Sequence, residues 1–137
     1  MIVDASAVLA ILLDEPDAKL FANAIIAADN ARIAAPGWLE VAMRVESIHA
    51  DNDAAYQEVN DRFMSFTANN VLRIEPFSGE HAFVARSAFR KFGKGRHPAG
   101  LNFGDCIAYA TAKLAGAPLL FKGNDFIYTD IEPALKY

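Results

Sequence analysis

The sequence predicts an α/β protein, three layers deep, with a central parallel sheet covered by helices on both faces. Three observations carry this. Short apolar runs alternate along the chain with longer stretches of helical periodicity, the order that builds a parallel sheet. The segment Phe103 to Ala115 is apolar nearly all round, with Lys113 its one clearly solvated position, as a buried helix requires. Asp4 stands directly after one apolar run and Asp125 just past another, at the strand ends where such sheets gather ligands. At 137 residues the whole chain, 1–137, reads as one domain large enough to bury a core.

The elements follow in order. Met1 to Val3 is a short strand ending in Asp4, and an apolar helical segment runs from Ser6 to Leu13. Asp14-Glu15-Pro16-Asp17 breaks the chain and recaps it, and Ala18 to Ala28 is a second helix with Leu20, Phe21, Ala24 and Ile25 inward. Arg32 to Ala35 is a strand. Pro36-Gly37 opens a third helix, Trp38 to about His49, with Trp38, Val41, Ala42, Val45 and Ile48 on one face. Asp51-Asn52-Asp53 caps a fourth, reaching about Ala68. After the Asn69-Asn70 turn, Val71 to Ile74 is a strand, and Ser78 starts a fifth helix that ends at Phe92 with His81 at the third position. A basic loop, Gly93 to Gly100, leads to the Phe103 helix. Gly116 closes that helix, Pro118 follows, and Leu119 to Phe121 is a buried strand. Ile131 begins a last edge strand before Pro133.

Composition excludes several classes. Hydrophobic content of 53% with 22% charged residues is that of a globular domain. The single cysteine excludes an internal disulfide and fits a reducing compartment. The apolar run Ala5 to Leu13 is too short to span a bilayer, and no basic residue precedes it as a signal peptide would need. The reading is a cytoplasmic domain without a membrane partner. Charge is unevenly spread: residues 1–68 hold 11 acids and 4 bases, residues 69–137 hold 6 and 9.

Each acid carries two readings. Asp4 caps the following helix or faces a ligand, and Ser6 serves equally well as the cap. Asp105 opens the buried helix, where a carboxylate suits the helix dipole; Ala108 and Tyr109 at helical spacing offer it no salt bridge. Asp125 shapes a turn after Gly123-Asn124 or joins the other acids. Glu40 lies off the Trp38–Val41–Val45 face with Arg44 four residues on, so an exposed ion pair worth only about 0.3–0.5 kcal/mol is its default. A parallel sheet would bring the strand-end acids together. Two carboxylates about 4 Å apart repel by roughly 4 kcal/mol at an effective dielectric of 20, and a divalent cation reverses that sign. Hard oxygen donors without His or Cys beside them suit Mg²⁺ or Mn²⁺ rather than zinc.

Arg86, Arg90, Lys91, Lys94, Arg96 and His97 form a basic segment with no acid between Glu80 and Asp105. It is a solvated helix end, or a phosphate-tracking patch beside the acids. Cys106 reads as a core thiol, and His49 and His81 stand without a partner at metal-ligand spacing. Trp38 reads as a core anchor, and Phe63, Phe66 and Phe77 as core or partner contacts.

The runs VDASAVLA, WLEVAMR, GKGRHPAGLNFGDCIAYATAKLAGAPLLFKGNDF and YTDIE together resemble a PIN-domain ribonuclease, and more narrowly the VapC-type toxin of bacterial toxin–antitoxin pairs. The resemblance covers nearly the whole chain and is densest over residues 94–132; residues 50–75 or so match nothing usable. It implies an acidic quartet of Asp4, Glu40, Asp105 and Asp125 with Ser6 and Asn124 in support. Asp4 and Asp105 would be the most direct ligands of Mg²⁺, or of Mn²⁺ in its place. It further implies RNA cleavage leaving a 5′-phosphate and a 3′-hydroxyl, a homodimer, and an antitoxin partner. Two other classes stand beside it. A phosphatase or phosphoacceptor domain would want a second acid two residues after Asp4, where Ser6 stands; a silent RNA-binding module has no need of mutually repelling acids.

Overall fold

The computed structural model describes residues 1–48 and 51–136. Four strands, β1 (Ile2–Val3), β2 (Arg32–Ala34), β3 (Arg73–Glu75) and β4 (Leu119–Leu120), pair in parallel in the order β3-β2-β1-β4. Helices α1 (Ala5–Leu12) and α2 (Ala18–Ala27) link β1 to β2. Helices α3 (Ala35–Ile48) and α4 (Asp53–Ala68) link β2 to β3, and α5 (Gly79–Phe92) and α6 (Phe103–Ala115) link β3 to β4. A 3₁₀ turn, Asp125–Tyr128, follows β4.

The pleat sorts the core into two layers. Val3 and Leu120 face a cluster built with α1 to α4 (Val8, Phe21, Val41, Phe63), while Ile2 and Leu119 face one built with α5 and α6 (Phe92, Leu101, Tyr109). The chain steps outward from β1 to β3 on one face, then returns across the other face to place β4 on the far side of β1. Right-handed crossovers demand that division. The reversal between β1 and β4 makes a switch point, and Asp4 leaves β1 directly at it.

Several elements depart from the expected bounds. β3 begins at Arg73 rather than Val71. Leu72 is spent on the core, its N–H donating to Phe66 O at 2.9 Å, and the ladder opens when Arg73 donates to Ala31 O at 2.9 Å. An apolar run thus marked burial, not strand pairing. The expected strand at Ile131 is a single bridge, Leu119 to Pro133, since proline has no N–H to extend a ladder. Helix α3 starts earlier than expected, at Ala35, with Pro36 in its first turn, where a missing N–H costs nothing. His49, the expected end of that helix and one of the two lone histidines, lies outside the described residues. Leu20 is exposed rather than inward, and Phe103 and Leu114 leave α6 less uniformly covered than its composition suggests. Trp38 stacks on Phe63 with ring centroids 5.1 Å apart, and both Cys106 and Phe63 lie in the core as expected. Among the described residues no helix is long and apolar enough to cross a membrane.

Candidate active site

Asp4 is where the site begins. It is buried, its N–H donates to Leu120 O at 2.8 Å, and it caps α1 by accepting the Ser6 N–H at 3.0 Å. The Ser6 hydroxyl donates to the same oxygen, and Ser6 Oγ in turn accepts the Lys122 N–H at 3.0 Å. Ser6 therefore ties the acid at the end of β1 to the chain leaving β4. Asp4 thus caps the helix, and the same carboxylate lies on the cavity at the switch point.

Asp105 stands in the first turn of α6. Asn102 caps this helix with a reciprocal pair: its Oδ1 accepts the Asp105 N–H at 3.0 Å, and Asp105 Oδ2 accepts the Asn102 N–H at 2.8 Å. One residue earlier, Gly104 opens space for Glu40. A Cβ built on Gly104 would stand 2.9 Å from Glu40 Oε2, so any side chain there would press on that carboxylate. Among the described residues Glu40 forms no ion pair with Arg44; it faces Asp105 instead. Asp125, exposed, enters from the 3₁₀ turn.

All four acids line one cavity of 240 Å³, closed on its apolar side by Leu9 and Phe126. Four different elements supply them. Crowding and desolvation show in their titration. Burial raises the Asp4 carboxyl, the Ser6 hydrogen bonds oppose the rise, and Glu40's charge adds to it. Desolvation on the cavity wall raises Glu40, followed by the charge of Asp105. Burial raises Asp105 to about 6 against the Asn102 N–H, with Asp4 and Asp125 contributing charge.

The donor set, all carboxylate oxygen with no imidazole or thiol on the cavity wall, fits a hard divalent cation. Among the described residues, however, no three Asp, Glu, His or Cys side chains stand close enough to close on an ion as they are. The cavity is an acidic cup, not a finished cage.

Two further residues belong to this site. Asn102 was legible as the partner of an N-x-x-D capping pair. Lys122 lines the cavity and pairs its ammonium with Glu15, from the turn after α1. Its signal was position: it follows β4 and Phe121, at the same end of the sheet where Asp4 follows β1. Asn124, expected beside the acids, lines a neighbouring cavity instead.

None of the basic segment lines the acidic cavity. Arg86 borders an apolar groove between α5 and α6. The Lys91 ammonium lies 4.7 Å over Phe92, and the Arg96 guanidinium 5.2 Å over Phe89. His97 serves the turn, its Nδ1 accepting the Ala99 N–H at 3.1 Å. Arg90 and Lys94 are exposed. The glycines of this loop supply turn geometry, with positive φ at Gly95 and Gly100, and the loop is fastened where Lys94 donates to Leu101 O and Leu101 to Phe92 O, each at 3.0 Å. That loop delivers the chain to Asn102, the cap of α6.

Sequence and shape agree with known proteins. The family model for the PIN domain matches residues 1–132. The chain is 43% identical over 136 residues to the ribonuclease VapC28 of Mycobacterium tuberculosis, covering 98% of each. The crystal structure of FitAcB from Neisseria gonorrhoeae superposes with a TM-score of 0.71 at 18% identity, over 96% of this chain and 94% of that one. A toxin–antitoxin complex from Klebsiella pneumoniae gives 0.65 at 18% identity, over 91% and 88%. A three-layer sheet with its acids gathered at the β1–β4 reversal, and relatives of this closeness over nearly full length, place the chain in the PIN-domain family, among the VapC-type ribonucleases.

Proposed function

We propose that this protein is a metal-dependent endoribonuclease that hydrolyses RNA phosphodiester bonds, acting in the cytoplasm as the toxin of a toxin–antitoxin pair. The observation that carries this reading is the convergence of Asp4, Glu40, Asp105 and Asp125, from four elements, on one cavity at the switch point. Structural carboxylates would be expected to disperse or to pair with bases. Here the one base on the cavity wall, Lys122, is engaged by Glu15.

Asp4 and Asp105 are the residues to hold Mg²⁺, or Mn²⁺ in its place, because hydrogen bonds fix both at helix starts. Glu40 and Asp125 complete the charge of the cup. A bound divalent ion would supply Lewis-acid stabilisation of the phosphate and a more acidic water. Glu40, raised by its surroundings, is suited to take a proton from the attacking water, since a general base works best when its pKa approaches the working pH. Ser6 keeps Asp4 oriented, and Asn102 does the same for Asp105. Exposed Arg90 and Lys94, with Arg86, Lys91, Arg96 and His97 around them, provide the positive surface that an acidic protein needs to hold a polyanion.

The Klebsiella structure is of a toxin–antitoxin complex, which supports a cognate antitoxin as partner. Leu39, Met43 and Phe103 form an exposed apolar strip along α3 and α6, suited to a homodimer.

The test is cleavage of total RNA with Mg²⁺ or Mn²⁺, and its arrest by EDTA. Asp4→Asn and Asp105→Asn should each lower the rate by roughly 100-fold or more with an unaltered circular dichroism spectrum, as loss of a metal-positioning group does. Full activity in either variant would sink the assignment.

A further inference from the structure

A larger cavity, 590 Å³, adjoins the acidic one, and Lys122 lines both. The chain leaving β4 forms the partition: Asn124 faces one side and Asp125 the other. This second cavity lies within the about 300–1,000 Å³ range of small-molecule sites. Its walls are mainly apolar, made by Phe121, Ile127 and Leu135.

Four polar side chains punctuate those walls: Lys122 and Lys136, which face a polyanion favourably, and Asp17 and Asn124, which make no side-chain hydrogen bond among the described residues. Asp17 stands at the start of α2, yet its carboxylate makes no capping bond. Asn124 stands at the start of the 3₁₀ turn, and its amide makes none either. Residues in these positions ordinarily spend their side chains on the helix N–H groups. Here both groups remain available on the wall of one apolar cavity. A flat apolar ligand with polar edges, attached to a phosphate that Lys122 and the acids would face, fits this arrangement.

We propose that this second cavity binds the base of the nucleotide adjoining the scissile phosphate, with Asp17 and Asn124 reading its hydrogen-bonding edge. The inference rests on the ribonuclease reading and adds a specificity site to it. Single-stranded RNA bases are recognised this way, sandwiched by apolar surface and read at their edges. A carboxylate only accepts, so Asp17 selects a base with N–H donors. Guanine offers two adjacent ones, N1–H and N2–H, and satisfies both carboxylate oxygens. Ile127, half-exposed at the cavity wall, sets how much room the ring has.

The experiment begins by mapping a wild-type cut site, then uses a short oligoribonucleotide carrying it, with Mg²⁺ present. Failure to cut any RNA would count against the ribonuclease reading itself, before this step is reached. An abasic ribose placed on each side of the cut in turn should, on one side, lower wild-type kcat/KM by roughly ten-fold or more. In Ile127→Trp, which fills the cavity, the intact substrate should fall toward the abasic one, so that removing the base costs little. In Asp17→Asn, replacing guanine at that position by inosine, which lacks the N2 amino group, should cost less than in wild type. The proposal is overturned if wild type cuts abasic and intact substrates equally. It is equally overturned if Ile127→Trp lowers both by the same factor, which marks the cavity as structural.

Discussion

Asp105 accepts a backbone hydrogen bond that favours its charged form, yet burial and two neighbouring carboxylates outweigh it and hold its pKa at about 6. The folded value lies above the unfolded one, so the metal-free fold gains from protonating this group. That gain is complete below the ordinary carboxylate value of 3.8 and is lost as pH rises from there to about 6. A cation held at Asp105, as proposed above, would compete with the same proton. The rise in Tm on adding Mg²⁺, measured against EDTA, should therefore be large at neutral pH and shrink as pH falls through about 6. Asp105→Asn keeps an oxygen to accept the Asn102 N–H, so its fold should survive and its metal-induced shift should be small at every pH. Equal shifts in the two proteins would reduce Asp105 to a helix cap. At this scale much of the site was legible. Asp4 and Asp125 follow apolar runs, and Asp105 opens a buried helix whose next turn offers it no salt bridge. Glu40 was not decidable, because whether it pairs with Arg44 or turns inward depends on the space at Gly104, a residue of another helix 64 positions away.

Helix α6 does its work through its first turn, where Asn102, Gly104 and Asp105 have separate tasks. Gly104→Ala separates stability from activity. Alanine in place of a helical glycine stabilises by roughly 0.5–1 kcal/mol. The added methyl would stand 2.9 Å from Glu40 Oε2 and turn that carboxylate out of the cavity. We expect an unchanged or higher Tm with a fall in kcat, and little further loss when Glu40→Gln is added, since the two changes act on one group. Full activity in Gly104→Ala would remove Glu40 from the chemistry. The helices are legible in the sequence because their caps and periodicity are local. The strands are less so: with two or three residues each, β1 to β4 exist through their neighbours, and Val71-Leu72 serves the core without entering the ladder.

Across the whole molecule, acids dominate the first half of the sequence and bases the second, and the fold keeps the basic loop beside the helix that presents Asp105. Changing Lys94 and Arg96 together to Ala should weaken RNA binding and flatten the plot of log affinity against log salt by about 1.4, the counterion release of two single-strand phosphate contacts. Metal-induced stabilisation should stay as it was. An unchanged salt slope would leave the loop a solvated surface. The parallel order and the switch point could be foreseen from alternation alone, whereas the second cavity could not, being made where the turn before α2, the chain after β4 and Leu135 meet. Because Ile2 and Val3 pair with Leu119 and Leu120, the central strand finds one of its two neighbours only near the far end of the sequence. Contacts so far apart along a chain form late. A growing polypeptide on the ribosome exposes Asp4 and Glu40 long before β4 and Asp125 have been made, so the four carboxylates cannot assemble until Asp125 has been added. The ribosome and the message are themselves RNA, so for the ribonuclease proposed above a cup completed only after β4 would leave the nascent chain inactive toward both.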